Sequence, residues 1–512
     1  MVVSGSVLVE LGLATVFTLA TGRRVGSAAP VGRCGGRDPP GSCDARSGWR
    51  PGWRSGGVAT EVSGVEGAGG PRCVVVGAGL AGLVAAYTLR QHGVEVTVLE
   101  RGPRPGGRMT SEQVNGFVVD CGAQFLSSGY ARLLPLLGRL GLADELVPTG
   151  TGVGIVRDGT IRPISVANPL RLVSAGVLST GEALRGAAGL ARVARRVRRR
   201  PRYDLTRWTD FDRQAGDDWA RRQFGVGLTD RVLDAVMRGF YFQQLRGSSA
   251  VLPAVLASFA ASRSATLALR GGLGRVTAAL AAQVPVRCDT PVLGVYAEDA
   301  AGPVRVDTPD GEFAAEVVIV ATPAPAAGAL LPRPSDAVVG ALLDTPYSRT
   351  LLVGLRYAPG WTAARLRGIY GVLVPPAERR TIAAVAVESH KAPGLVPQGE
   401  LLNVMLAGAA VPRLLEADDA QVTRAVVAEL ADLVPEAARG LAGVTICRWH
   451  AALPWVPPGQ AGRVARYRRA VEAGPARVIL AGDYLGLPFT DSVTHTGQWA
   501  AAQALRQLTR AR

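Results

Sequence analysis

Hydrophobic positions repeat with several different periods along the chain, and each change of period marks an element. Cys73–Val76 is a short apolar run with no polar interruption, the pattern of a strand covered on both faces. From Leu80 to Gln91 the apolar residues gather on one side of a helix, for which Gly93 is a fitting C-terminal cap, and Val94–Leu99 reads as a second strand. Further buried strands are expected within EVVIVATPAPA from Glu316 and at Val478–Ala481. Residues from about 130 to 265 read as mostly helical, with amphipathic stretches at Tyr130–Leu142 and Asp217–Met237. Between about 330 and 445 the pattern alternates, so Leu351–Tyr357, Gly371–Val374, Ile382–Glu388 and Leu401–Leu406 are expected strands.

The junction of the first strand and first helix carries the most specific signal. Gly77, Gly79 and Gly82 form GxGxxG around Ala78, Leu80 and Ala81. The first glycine permits the tight turn, the second lets backbone approach a pyrophosphate, and the third lets helix and strand pack closely. The helix then points its free N–H groups at the phosphates. Glu100 ends the second strand 18 residues beyond Gly82, where a carboxylate would accept hydrogen bonds from adenosine ribose hydroxyls. Strand, glycines, helix, strand and acid occur in order, which makes this a nucleotide-binding unit.

Composition narrows the alternatives. A chain of 512 residues with 48% hydrophobic and 19% charged residues is globular and long enough for two or three domains. The net charge of +16 suggests a nucleic-acid partner, but Lys391 is the only lysine, and the Arg-, Ala- and Gly-rich composition reads as a compositional bias. No nucleic-acid motif accompanies the charge, and aromatics at 5% are few for base stacking. Cys34, Cys43, Cys73, Cys121, Cys288 and Cys447 show no CxxC pair, and with only four histidines no metal cluster is expected. The cysteines read as buried, reduced thiols, which points to the cytoplasm. Residues 1–70 are expected to be a disordered extension or a mis-assigned start, because the apolar run Val7–Ala20 lacks preceding basic residues and is short for a membrane span. The run of arginines from Arg192 to Arg200 is either a solvated helix face or a peripheral contact with an anionic membrane surface.

Glu100 and Arg101, followed by Gly106, Gly107 and Arg108, resemble the second fingerprint of the FAD-dependent amine oxidase and protoporphyrinogen oxidase superfamily, which includes carotenoid desaturases. Asp120, Gly122, Ala123 and Gln124 in VDCGAQF resemble the family segment beside the flavin. The stretch Gly271–Val295 resembles the family's return to the cofactor domain, where backbone at Val292 would meet adenine. RVILAGDYLGLPFTDSVTHTGQWAAAQAL resembles its C-terminal flavin motif, with Gly482 and Asp483 toward the ribitol. Ser492 or Asp491 is expected to cap a final helix that begins near Val493 and aims its positive end at the flavin. Thr496-Gly497 stands where the family usually has Ser-Gly.

The resemblance implies an α/β fold: a Rossmann-type, glutathione-reductase-like FAD-binding domain with an interleaved α+β substrate domain. Residues 71–130, 266–330 and 446–512 are expected to form the first, and 131–265 with 331–445 the second. It implies non-covalent FAD and removal of hydride from a hydrophobic or conjugated small molecule, nearest the protoporphyrinogen oxidase-like branch. The rivals are an amine oxidase, a carotenoid-type desaturase, or a flavin-binding or membrane-associated protein without turnover. Many amine oxidases of the family carry a lysine on the strand matching Ser348–Val353, which here offers Arg349 and no lysine. Lys391, His390 and His495 are candidates for lining the pocket, with a surface lysine and structural histidines as the alternative.

Overall fold

The computed structural model describes residues 72–510, apart from 151, 166–169, 263, 298–301 and 333; the expectations for residues 1–70 lie outside the described residues. Five parallel strands form one sheet, in the order Val286–Arg287, Glu95–Leu99, Arg72–Val76, Val317–Val320 and Val478–Leu480. Val75 stands opposite Val98 on one side and Ile319 on the other, and all three are fully buried. That accounts for their unbroken apolar runs: helices Leu80–Gln91 and Thr490–Arg510 pack on the sheet, and the antiparallel strands Val304–Thr308 and Gly311–Ala315 share its core, so alternation would bury a polar side chain. Helix Leu80–Gln91 packs against the C-terminal helix Thr490–Arg510. Gly497 permits this approach, since a Cβ there would overlap the carbonyl oxygen of Ala81.

A second sheet has seven strands, in the order Leu441–Trp449, Thr350–Tyr357, Glu400–Leu406, Ile382–Val387, Ile369–Leu373, Gly152–Arg157 and Thr160–Ser165. Its neighbours are antiparallel except for Ile369–Leu373 beside Gly152–Arg157. Side chains alternate between two cores, as a period of two requires. Val385, Val387, Val404 and Leu406 face helix Asp419–Leu433 through Val422, Val426 and Leu430. Ala384, Ala386 and Met405 point the other way, toward helix Asp234–Tyr241 and the parallel-sheet domain.

Three features differ from the sequence reading. The stretch 130–265 is mostly helical as expected but also holds a hairpin the sequence reading lacked, Gly152–Arg157 and Thr160–Ser165, which joins the seven-stranded sheet. Its turn is Asp158-Gly159, both with positive φ (50° and 69°), the signature of a two-residue hairpin turn. The boundary placed at 445/446 falls inside the strand Leu441–Trp449. Cys121 and Cys447 are joined in a disulfide, with Cα atoms 5.5 Å apart. The reading of buried, reduced thiols therefore fails for this pair, because a fold can bring together cysteines 326 positions apart that no local spacing connects. Cys73 and Cys288 are free. No described helix is long and apolar enough to cross a membrane, and no described group of acids, histidines and cysteines is placed to hold a metal.

Candidate active site

The glycine turn behaves as three different demands on backbone. Gly77 has φ of 101°, which a side chain would strain, and a Cβ at Gly82 would overlap the carbonyl oxygen of Gly77. At Gly79 a Cβ would meet nothing within 4 Å, so the backbone there faces open space. Helix Leu80–Gln91 starts at that point with no capping side chain and no acidic residue in its first turn, leaving its positive end uncompensated. Ala78, Leu80 and Ala81 complete the turn and are buried.

Glu100 reaches back to this turn. One carboxylate oxygen accepts from Ala78 N–H at 2.8 Å and the other from Gly102 N–H at 2.9 Å. Each oxygen keeps a lone pair for a ribose hydroxyl. Arg101 is exposed at the rim. Val292 lies half-buried nearby, two residues after Thr290, whose N–H donates to the Glu100 carbonyl at 2.9 Å. The second glycine segment docks directly on the first: Gly106 N–H donates to Ala78 O at 2.9 Å, and a Cβ at Gly107 would stand 3.3 Å from Gly79 Cα.

Arg108 connects this end to the C-terminal motif. Its guanidinium donates to Asp483 Oδ2 at 2.5 Å and to Ala452 O at 2.8 Å, and lies over the Tyr347 ring. Tyr347 OH donates to the other Asp483 oxygen at 2.7 Å. Burial opposes the charge on Arg108, but Asp483 and Tyr347 outweigh it and hold the guanidinium firmly protonated. The backbone of Arg108 also touches the next segment: Ala123 N–H donates to Arg108 O at 3.0 Å, and Gly122 packs where a Cβ would overlap that oxygen. Gly77–Gly82, Glu100, Gly107–Arg108, Gly122–Gln124 and Gly482–Asp483 thus form one connected network, although Gly77 and Asp483 are 406 positions apart.

The end of the chain departs from expectation. The final helix begins at Thr490, earlier than Val493, and neither proposed cap serves it. Asp491 instead accepts the N–H groups of Ala131, Arg132 and Leu133 (3.1, 2.7 and 2.8 Å), satisfying the start of helix Leu133–Arg139. Ser492 accepts from Leu487 N–H and donates to Tyr203 O, so its hydroxyl is spent within the protein, and Val493 lies half-buried behind it.

Beyond Gln124 the chain passes Phe125, which lines a small apolar cleft of about 20 Å³. Phe240, Tyr370, Ala384, Ala386 and Met405 line it from helix Asp234–Tyr241 and the seven-stranded sheet. None of the three pocket candidates lines it. His390 is exposed on the surface, and His495 is buried against Tyr203 and Arg468, where burial and then the Arg468 charge push its pKa down to about 4. Lys391 is not a surface residue: it is fully buried behind Phe125, 5.2 Å from the ring centre, and pairs with Asp120 and Glu388. Tyr347, Thr322, Glu388 and Asn403 belong to this region and went unseen, since nothing local distinguishes them before the fold assembles.

The residues fit an extended dinucleotide. Gly79 offers an open backbone cradle beside an uncapped helix start, and the Thr322 hydroxyl, next to Gly77, is buried without a hydrogen-bond partner. A pyrophosphate supplies the acceptors and negative charge that both lack.

A parallel sheet carrying this glycine turn and strand-end acid defines a dinucleotide-binding architecture. The chain belongs to the family described as flavin containing amine oxidoreductase, whose model matches residues 80–505. It is therefore a flavin-containing enzyme. It is 26% identical over 456 residues to coproporphyrinogen III oxidase of Propionibacterium freudenreichii, covering 77% of this chain and 82% of that one. A shorter match, 40% over 119 residues and 23% of each chain, is to protoporphyrinogen oxidase 2 of Arabidopsis thaliana. Among solved structures, a candidate protoporphyrinogen oxidase from Exiguobacterium sp. 255-15 superposes with TM-score 0.69 at 21% identity, covering 86% of this chain and 100% of that chain. Cyclohexylamine oxidase from Brevibacterium oxydans gives 0.66 at 19%, over 86% and 100%. At these identities the structural likeness concerns the fold.

Proposed function

We propose that the chain binds FAD non-covalently and removes hydride from a hydrophobic or conjugated small molecule, in the manner of a protoporphyrinogen oxidase-like enzyme. The observation that carries the substrate class is the cavity behind Phe125. Its lining is apolar apart from the Tyr370 hydroxyl, with no carboxylate to pair an ammonium group. Burying an unpaired amine there would cost several kcal/mol, so the lining favours an apolar group of the substrate over a cationic one. The fully buried strand Thr350–Tyr357 likewise offers no lysine where amine oxidases of the family often carry one. The relatives named coproporphyrinogen III oxidase and protoporphyrinogen oxidase support the same reading.

In this reading Val292 meets the adenine, and Glu100 holds the ribose. Gly77–Gly82 with Arg101, Gly107 and Arg108 receives the pyrophosphate. Gly122–Gln124, Gly482, Asp483, Ser492 and Val493 surround the ring end, largely through backbone, because the side chains of Gln124, Asp483 and Ser492 already have protein partners. Bound FAD supplies the hydride acceptor. The protein's share is to neutralise the phosphates, orient the substrate against Phe125 and exclude water. The free cysteines Cys73 and Cys288 lie on the central strand and after the edge strand, so no thiol of the C-terminal motif is placed for a covalent link. Acid precipitation of the yellow holoenzyme tests this: flavin is expected in the supernatant, and a yellow pellet would overturn non-covalent binding. The Arg192–Arg200 region belongs to the same proposal as a peripheral contact with an anionic surface. Arg198 and Arg199 are exposed there, while Arg196 and Arg200 are engaged by Asp210. A cytoplasmic location, in places at the inner membrane face, is part of the same proposal, although the Cys121–Cys447 bridge removes the reduced-thiol argument for it.

A further inference from the structure

The chain has 57 lysine and arginine residues, and arginine fills every one of those positions except 391. That single lysine is buried at the junction between the seven-stranded sheet and the turn that follows strand Phe117–Asp120. Its ammonium donates to Asp120 Oδ2 at 3.0 Å, Gln124 Oε1 at 3.1 Å and Glu388 Oε1 at 3.2 Å. Three donors meet three acceptors, with no water-facing surface left. A compact ammonium can do this at one point, whereas the planar guanidinium fork is longer and spreads its donors in a plane.

The partners of Lys391 are themselves knitted into the turn. Gln124 folds back so that Nε2 donates to Asp120 O at 2.8 Å and Gly122 O at 3.4 Å. Asn403, on strand Glu400–Leu406, donates to Asp120 O at 2.9 Å and Gln124 Oε1 at 3.3 Å. The second oxygen of Asp120 accepts from Ser111 Oγ and Leu273 N–H. Asn403, which touches Glu388, leaves its buried side-chain oxygen without a donor, and a proton on Glu388 would satisfy it. Lys391 reaches this turn from the short helix Glu388–Lys391, which directly follows strand Ile382–Val387 of the sheet that lines the cleft.

We propose that Lys391 is a positioning residue for the flavin: anchored on the substrate sheet, it fixes the Asp120–Gln124 turn in the shape that meets the cofactor. The inference rests on the assignment of Gly122–Gln124 to the flavin site. Removing the ammonium leaves Asp120 buried without its counter-charge and frees the Gln124 amide, so the cofactor meets a turn of altered shape and charge.

The test uses purified full-length holoenzyme, measuring FAD dissociation by fluorescence and the environment of the ring by visible circular dichroism. Lys391→Met is expected to raise the FAD Kd about tenfold, the order of one lost charge-assisted contact, and to change the flavin dichroism. Lys391→Arg is expected to behave like Lys391→Met. Lys391→Met combined with Asp120→Asn buries no lone charge, and it is expected to fold and still show both changes. Arg238→Met removes another buried cation near the same sheet, one that binds the carbonyls of Val374, Ile382 and Ala407. It is expected to lower stability while leaving Kd and dichroism unchanged. Variants at Lys391 that lose only stability, with Kd within about twofold of the parent and unaltered dichroism, would overturn the proposal. A parent protein that takes up no FAD would instead overturn the cofactor assignment.

Discussion

Glu388 gives the account a quantitative handle. Its carboxyl is fully buried, and burial, only partly offset by Lys391 and reinforced by Asp120, raises its pKa from 4.5 to about 7. Those two are the charged groups facing it, Lys391 from its own short helix and Asp120 from strand Phe117–Asp120. The folded protein therefore keeps the proton where the unfolded chain has lost it. Between pH 4.5 and about 7 the native state binds more protons than the unfolded state, so stability falls as pH rises through this window and levels off above it. At about 1.4 kcal/mol per pKa unit, the loss from this one group is about 3 kcal/mol. Glu388→Gln keeps an acceptor for Lys391 and can donate to Asn403, but it does not titrate. Urea unfolding of parent and variant, followed by tryptophan fluorescence with saturating FAD at several pH values, reads the difference directly. The variant is expected to gain about 3 kcal/mol relative to the parent between pH 4.5 and 8, whatever its constant offset. A difference that stays flat across that range would mean that Glu388 is ionised in the native protein, and the proton assigned between it and Asn403 would be wrong.

Other consequences follow from the cofactor groove and the cavity. Glu100→Ala removes the ribose acceptor and releases the Ala78 and Gly102 amides, so FAD affinity is expected to fall by about 1.5 to 3 kcal/mol, seen as a roughly 10- to 150-fold rise in Kd. Gly79→Ala and Gly82→Ala separate ligand space from packing. The first meets no protein atom, so FAD binding should weaken while the thermal stability of the cofactor-free protein is unchanged; the second should destabilise the fold itself. Equal loss of stability in both would contradict the open cradle at Gly79. Ala386→Phe fills part of the cavity and is expected to leave the flavin bound while blocking its anaerobic reduction by substrate; reduction at the parent rate would place the substrate elsewhere.

Much of the cofactor groove was legible in the sequence because its demands are local. A glycine is dictated at positions 77 and 82 by a turn and a contact within six residues, and Glu100 meets the loop of the same unit. The parallel strands were legible because both faces are buried, which leaves an unbroken apolar run. The hairpin at Gly152–Ser165 was missed although Asp158-Gly159 marked it, because strands of six residues between helices leave little periodicity to count. What decides Lys391, Tyr347 and the Cys121–Cys447 bridge is tertiary. A lysine after a strand reads as exposed until the fold places Asp120, from 271 positions earlier, against it. The roles given to Asp491 and Ser492 went astray for the same reason: both have nearby helix starts to satisfy, and only the packing of Ala131–Leu133 and Tyr203 shows which partners they take.

The central claim is that distant stretches of the chain build one flavin groove opening into an apolar cavity for a conjugated substrate. Its most direct measurement is anaerobic mixing of the purified holoenzyme with a porphyrinogen and, separately, with a panel of primary amines, while following the visible flavin absorption band. The band is expected to bleach with the porphyrinogen and to persist with the amines. A band that amines bleach and the porphyrinogen leaves intact, or a folded protein that takes up no FAD at all, would contradict it.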